Sequence, residues 1–144
     1  MQSINKIKLF LVDDDAIFLK SLEIEFLQQV GFTVKTFSTG ELCLLSLQEN
    51  PDIIILDYQL DGIDKYAMNG IQTLDKIKGF DPKIPVIMLS SQDKIDVAVN
   101  CMHHKAADYV VKSETAFTRL KQIIEKIQYY QKVEKDLNWY MEKM

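Results

Sequence analysis

Five short runs of apolar residues, separated by stretches with helical periodicity, limit what this 144-residue chain can fold into. The runs are short and rich in β-branched residues, which is typical of strands covered on both faces. The predicted strands are Ile7–Val12, Phe32–Phe37, Asp52–Leu56, Ile84–Leu89 and Asp108–Val111. Strands that alternate with helices in this way predict one α/β domain, with a five-stranded parallel sheet and helices on both sides.

The stretches between the strands carry apolar residues at helical spacing. Ser38, followed three residues later by Glu41, is a capping-box pattern and predicts the start of the second helix. The fifth helix is predicted to begin near Ser113, and it has neither Gly nor Pro through Met144. Four core-facing stripes are predicted, formed by Ile17, Leu22 and Phe26; by Leu42, Cys43 and Leu45; by Ile71, Leu74 and Ile77; and by Ile95, Val99 and Met102.

Composition excludes several classes of protein. The net charge is −4 and there is no cluster of Lys and Arg, so we expect no nucleic-acid partner. The apolar runs are far shorter than a membrane span and no secretory signal opens the chain, so we expect a cytoplasmic protein that does not enter the membrane. Cys43 and Cys101 lie in apolar stretches and are predicted to be reduced core residues.

Polar side chains follow four of the five predicted strands. The first strand is followed by Asp13, Asp14 and Asp15, and the third ends at Asp57. Ser90 and Ser91 follow the fourth strand, and Lys112 follows the fifth. Because ligands bind at the carboxyl ends of the strands in an open parallel sheet, we expect these groups to meet at one edge.

The carboxylates at this edge indicate a metal site. A helix N-cap explains one or two of the aspartates that follow the first strand, but not Asp57, which arrives from another strand. At ~5 Å and an effective dielectric of about 20, each carboxylate pair would repel by roughly 3 kcal/mol. Hard oxygen ligands favour Mg²⁺. A metal, a lysine and a hydroxyl together suit phosphoryl transfer, in which an aspartate can be the nucleophile.

In this order, the motifs "LVDDD", "IIILDYQL", "MNG", "PVIMLSS" and "ADYVVKS" resemble the receiver domain of two-component response regulators. The resemblance covers about residues 6 to 127. It implies a flavodoxin-like, doubly wound fold with sheet order 2-1-3-4-5. It also implies a signalling module that accepts a phosphoryl group from a histidine kinase or phosphotransfer protein, rather than an enzyme, and that then acts on a downstream protein.

The resemblance assigns a role to each residue at the strand ends. Asp15 falls outside these roles, as a helix cap or an outer-shell group. The family pattern implies Mg²⁺ or Mn²⁺ held by Asp13, Asp14, Asp57 and the backbone carbonyl of Gln59; phosphorylation of Asp57; contact of Ser90 and Lys112 with the phosphoryl group; and a conformational switch formed by Ser90 and Tyr109.

Three features depart from the family pattern. Lys112-Ser113 replaces a Lys-Pro pair that is joined by a cis bond in the family, and without proline a cis bond costs about 3–4 kcal/mol, so this loop is expected to be trans or strained. About five extra residues lie between 61 and 69, either as neutral drift or as a determinant of partner selection. The last helix continues beyond the receiver (1–127) as a segment, 128–144, predicted to pair with a second copy or with another protein.

Two other functions stay open at this point. The "DDD" motif contains the Asp-x-Asp of haloacid-dehalogenase-type phosphatases, with Asp13 as nucleophile, but the hydroxyl usual two residues later is missing. A receiver-like module that binds partners without accepting phosphate is the other alternative, because the Lys112-Ser113 junction and the longer loop alter the surroundings of the site.

Overall fold

The computed structural model of the protein describes residues 5–144, and strands alternate with helices along this whole range. In chain order, the elements are β1 (Ile7–Val12), α1 (Ala16–Leu27), β2 (Phe32–Phe37), α2 (Gly40–Leu45), a 3-10 helix (Leu47–Glu49), β3 (Ile53–Asp57), α3 (Gly70–Phe80), β4 (Val86–Ser90), α4 (Ile95–His103), β5 (Asp108–Val111) and α5 (Ala116–Lys143). The predicted alternation is confirmed, and each strand begins and ends within two residues of its predicted bounds.

The sheet has the order β2-β1-β3-β4-β5, and all of its neighbouring strands are parallel. Every residue of β3 and of β4 is buried, which explains why these two strands are apolar at almost every position. The predicted fold class and strand order are therefore confirmed. The order reverses between β1 and β3, and the carboxyl ends of these two strands flank the point where ligands bind in such sheets.

The helices cover the two faces of the sheet with separate apolar clusters. On one face, Leu22 and Phe26 of α1 pack with Leu120 and Ile124 of α5. On the other face lie buried residues of α2, α3 and α4, among them Leu74 and the two free cysteines. Alternate residues of each central strand enter opposite clusters, so the strands tie the two layers together.

Three of the four predicted helical stripes are wrong in whole or in part. In α4, Ile95, Val99 and Met102 are exposed, and Val97 and Cys101 are the buried residues. Ile17 in α1 and both Leu42 and Leu45 in α2 are exposed as well. The reason is that each of these helices is short and mostly apolar, so more than one set of positions has helical spacing and periodicity cannot choose the buried set.

The predicted capping box at the start of α2 is also wrong. Thr39 is the N-cap, and its side chain accepts a hydrogen bond from Leu42 N at 3.1 Å. The carboxylate of Glu41 instead accepts from Met68 N at 3.0 Å, which attaches the end of the inserted loop to α2. A complete capping box occurs at the start of α3, between Asn69 and Gln72.

The last helix begins at Ala116, three residues after the predicted start, and continues without interruption to Lys143. Ala116, Leu120 and Ile124 are buried, whereas every residue from 128 to 144 is exposed. Sixteen residues of helix, from 128 to 143, therefore continue past the buried part of α5, a length of about 24 Å. None of the helices between residues 5 and 144 has the length and apolar character needed to cross a membrane.

Gly70, the first residue of α3, lies so close to β3 that a side chain has no room. A Cβ there would lie 2.6 Å from the Tyr58 carbonyl oxygen and 2.7 Å from Tyr58 Cα. In contrast, a Cβ at Gly79, in the same helix, would meet nothing within 4 Å. The close approach packs the start of α3 directly against the residue that follows Asp57.

We expect Gly70→Ala to lower the free energy of unfolding by about 1–3 kcal/mol, because backbone atoms must shift to admit the new methyl group. Gly79→Ala is the matched control and should raise it by up to about 1 kcal/mol, since alanine favours the helix. Urea denaturation of both variants tests this. Equal stability of the two variants would contradict the proposed close contact.

Candidate functional site

Three carboxylates meet at the carboxyl edge of the sheet. When one carboxylate oxygen is taken from each of Asp13, Asp14 and Asp57, the three atoms lie within 4.8 Å of one another. Asp13 and Asp57 are almost fully buried, at 1% and 3% exposure, and Asp14 is half-buried. The convergence expected from the order of the strands is therefore present in the structure.

The ammonium of Lys112 lies against this cluster. Its Nζ is 2.8 Å from Asp13 Oδ2 and 3.3 Å from Asp57 Oδ2, and the lysine side chain is only 15% exposed. Shielding from water strengthens the attraction between these charges, and it also makes removal of either partner costly. One positive charge, which follows β5, thus neutralises part of the negative charge that β1 and β3 bring together.

Backbone hydrogen bonds between neighbouring strands hold these side chains in place. Asp13 N donates to Phe37 O at 3.0 Å, Tyr58 N donates to Leu89 O at 2.7 Å, and Lys112 N donates to Ser90 O at 2.8 Å. Each bond continues a parallel ladder by one residue past the end of a strand. No cis peptide bond occurs between residues 5 and 144, so the Lys112-Ser113 bond is trans.

A family model described as "Response regulator receiver domain" matches residues 9–126 of the 144. The chain belongs to the receiver domain family of response regulators. The predicted recognition and the predicted role as a phosphoacceptor signalling module of two-component systems are confirmed at this level.

Known proteins with similar sequences and structures support this assignment. A probable transcriptional regulator, ycf27, from Guillardia theta is 37% identical over 108 residues, which are 74% of this chain and 40% of that protein. The crystal structure of NtrX from Brucella abortus matches with a TM-score of 0.77 at 26% identity, over 91% of this chain and 29% of NtrX. The receiver spans between about a fifth and just over two fifths of the length of the curated relatives it matches.

A structure that consists mainly of one comparable domain matches as well. The CheX-CheY-BeF3-Mg complex from Borrelia burgdorferi gives a TM-score of 0.74 at 26% identity, and the match covers 85% of this chain and 90% of that one.

An open cavity of about 570 Å³ lies over the carboxylates of the receiver. Of the residues with a predicted role, Asp14, Asp57, Gln59 and Lys112 line it, whereas Asp13, Ser90 and Tyr109 do not. The remaining lining residues are Asp15, Ala16, Ile17, Gly62, Ile63 and Ser91. Ser91 is among the strand-end residues expected at this edge. Sequence reasoning missed Gly62 and Ile63, because only the folded inserted loop brings them to the cavity.

Asp15, the third aspartate of the motif, is the N-cap of α1. Its Oδ1 accepts hydrogen bonds from Ile17 N at 3.1 Å and from Phe18 N at 3.2 Å. Asp15 N in turn donates to Asp13 Oδ1 at 2.9 Å. Of the two roles predicted for Asp15, these contacts support the helix cap.

Ser90 and Tyr109, the two predicted switch residues, both bind the backbone of Gln92. The Oγ of Ser90 accepts a hydrogen bond from Gln92 N at 3.0 Å. The hydroxyl of Tyr109 donates to the carbonyl oxygen of Gln92, and the ring of Tyr109 packs against the cluster under α4. One residue of the β4–α4 loop therefore links the two side chains.

Two pKa values at this site, those of Asp57 and Lys112, are raised above their ordinary values. Burial raises the pKa of the Asp57 carboxyl, and the neighbouring Asp13 carboxylate raises it further, to about 8, although the charge of Lys112 lowers it. Burial lowers the pKa of Lys112, but its contacts with Asp13 and Asp57 outweigh burial and keep this pKa above its ordinary value. The lysine is therefore charged, while Asp57 takes up a proton near neutral pH unless further positive charge is supplied.

The donor set fits a divalent cation. Oδ2 of Asp14 is buried and has no hydrogen-bond partner, which is costly for a carboxylate oxygen. A Cβ at Gly62 would lie 3.3 Å from this oxygen, so the glycine leaves the space above it free. Several carboxylate oxygens beside an open space match the preference of Mg²⁺ and Mn²⁺ for oxygen ligands.

Asp57→Asn should stabilise the metal-free protein. A carboxyl whose pKa is raised by folding destabilises the folded state above that pKa and has no such effect below its unfolded value, near pH 4. The gain in unfolding free energy should thus be near zero at about pH 4 and should grow to about 1–3 kcal/mol above pH 8.

Urea denaturation in the presence of a chelator, across this pH range, measures the gain. Asp93→Asn, at an exposed aspartate in the loop before α4, is the matched control for the loss of a surface carboxylate. A gain for Asp57→Asn that does not change with pH would contradict the shifted pKa.

Proposed function

We propose that this receiver accepts a phosphoryl group on Asp57 in a reaction that depends on Mg²⁺. The observation that supports this most directly is the placement of Asp57, which lines the cavity and whose Oδ2 lies 3.3 Å from the Lys112 ammonium. A carboxylate beside a fixed cation can attack phosphorus while the ion pair stays intact, so the cation does not have to be displaced first.

In the proposed step, an oxygen of Asp57 attacks the phosphorus atom of a phosphohistidine on a kinase or phosphotransfer protein. The new O–P bond forms as the P–N bond breaks, and the electron pair of that bond stays with the histidine nitrogen. Lys112 then lies where it can contact a phosphoryl oxygen, and its positive charge offsets the charge that the group brings. Gln59 N, 3.4 Å from Asp57 Oδ1, orients the carboxylate.

Asp13, Asp14, Asp57 and the backbone carbonyl of Gln59 are the groups that would hold the metal. When bound, Mg²⁺ or Mn²⁺ supplies positive charge that favours the ionised form of Asp57 and offsets the charge of the phosphoryl oxygens. The orphaned oxygen of Asp14 is the feature of this chain that supports such a role.

The hydrogen bonds at Gln92 support a way for phosphorylation to change the surface. If Ser90 Oγ moves to contact the phosphoryl group, it releases Gln92 N, and Gln92 also holds the Tyr109 hydroxyl. The loop that contains Gln92 leads directly into α4, whose residues Ile95 and Val99 are exposed. We therefore place the contact with a downstream protein at α4.

The approach of the phosphodonor is expected on the other side of the cavity. Ile17 and Ile63 line the cavity and are 84% and 79% exposed, so an arriving protein has apolar residues to cover beside Asp57. Ile63 belongs to the inserted loop, which favours a role for this insertion in the choice of partner over neutral drift. The cytoplasmic location and the absence of a nucleic-acid partner stay predictions.

Incubation with acetyl phosphate and Mg²⁺, followed by intact-mass measurement, should show a gain of one phosphoryl group. The gain should be lost in Asp57→Ala and with a chelator, and it should persist in Asp93→Ala. No gain in the wild-type protein under any condition would support the module that only binds partners. Turnover of a phosphate ester that needs Asp13 but not Asp57 would support the phosphatase alternative.

We further propose that the segment 128–144 pairs with the same segment of a second copy. Residues at alternating spacings of three and four form one apolar face on the exposed helix: Tyr130, Val133, Leu137, Tyr140 and Met144. All five are exposed. The segment contains three lysines and three acidic residues, so two copies do not repel each other, although the whole chain carries −4.

Sedimentation equilibrium tests the pairing. Leu137→Glu places a charge in the centre of the apolar face and should shift the protein to a monomer. Trp139→Glu removes a similarly exposed apolar residue from another side of the helix, so this control should stay dimeric. A monomeric wild-type protein, or an equal effect of both variants, would contradict pairing through this face.

A further inference from the structure

Lys112 has a third neighbour besides its two carboxylate partners. Its Nζ lies 4.8 Å from the centroid of the Phe18 ring, over the face of the ring. A cation at this distance from an aromatic face is attracted by the electron density of the ring, and more strongly when water is excluded. The lysine side chain is only 15% exposed, so this attraction is not screened as it would be on the surface.

The ring restrains Lys112 in a direction that the carboxylates do not. A lysine side chain has four rotatable bonds and is flexible when only its end is attracted. Asp13 and Asp57 pull the ammonium toward the buried side of the cluster. Phe18 lies in α1, and its ring contacts the same ammonium from another element of the fold.

Both the backbone and the ring of Phe18 are restrained by neighbouring groups. Its backbone N–H donates to Oδ1 of Asp15, the N-cap of α1, at 3.2 Å. Its ring is half-buried and packs against the apolar cluster that α1 and α5 form on the sheet. Because Asp15 N donates to Asp13 Oδ1, the contacts run from Asp13 through Asp15, Phe18 and Lys112 and return to Asp13.

We infer that Phe18 is a positioning residue of the acidic site, and that its ring keeps the Lys112 ammonium between Asp13 and Asp57. The inference rests on the proposed function, because the position of the ammonium matters for the reaction only if a phosphoryl group arrives at Asp57. It also gives Asp15 a role in the site, since this cap orients the turn that carries the ring.

The alternative is that Phe18 only fills space in the apolar cluster. Phe117 provides a matched control, because it is also half-buried, packs against the same cluster and lies 4.9 Å from the ring of Phe26. Both Phe18→Leu and Phe117→Leu remove one ring from this layer. Only the first removes a ring that faces Lys112.

The first measurement needs no phosphoryl donor. In the wild-type protein, the ε-methylene protons of Lys112 should show an upfield NMR shift, because they adjoin the ammonium that lies over the Phe18 ring. The shift should be lost in Phe18→Leu and kept in both Phe18→Tyr and Phe117→Leu. If Phe18→Leu does not fold, Phe18→Met replaces it.

The second measurement is the rate of phosphorylation by saturating acetyl phosphate with Mg²⁺. Phe18→Leu should slow this rate by about 3- to 30-fold, the range expected for loss of one cation–π contact. Phe18→Tyr should restore the rate, and Phe117→Leu should leave it unchanged although it also loses stability.

The two measurements separate the possible failures. An unchanged Lys112 signal in Phe18→Leu, or a rate equal to that of Phe117→Leu, would overturn the role of Phe18. A wild-type protein that takes up no phosphoryl group would overturn the proposed function instead, and the Lys112 signal would still decide whether the ring holds the ammonium.

Discussion

The buried contact between Lys112 and the carboxylates of Asp13 and Asp57 is the interaction on which the site depends. Without this ammonium, the carboxylates at the sheet edge would repel one another in surroundings where water cannot screen them. The lysine does not neutralise the whole cluster, because the pKa of Asp57 remains raised and an oxygen of Asp14 has no partner. The remaining negative charge is what makes the site attractive to a divalent cation.

The parallel sheet accounts for how residues so far apart in the sequence come together. β1, β3 and β5 all end at the same edge, and each delivers a charged residue just where its ladder of hydrogen bonds stops. Side chains at these positions are fixed by the backbone behind them but are not covered by a further strand. Rigid support on one side and open space on the other is what binding and catalysis at a sheet edge require.

The sequence predicts this edge well because the strands are buried on both faces, so each polar residue that ends an apolar run stands out, as Asp57 does. It predicts the helices less well, since α4 has apolar residues on all sides and the buried positions are Val97 and Cys101 rather than Ile95 and Val99. Contacts between side chains of different elements cannot be predicted from the sequence pattern. Phe18 and Lys112 are 94 positions apart, and no local pattern indicates that the ring faces the ammonium.

The close contact at Gly70 implies that the backbones on the two sides of the site differ in stiffness. On one side, the backbone of Tyr58 is hydrogen-bonded to Leu89 and to Gly70, and α3 packs on it without an intervening side chain, so the backbone beside Asp57 is closely restrained. On the other side, two side-chain hydroxyls hold Gln92, and α4 begins without a side-chain cap. If Asp57 is phosphorylated as proposed, we expect the resulting displacement to be carried by the softer half, at the start of α4.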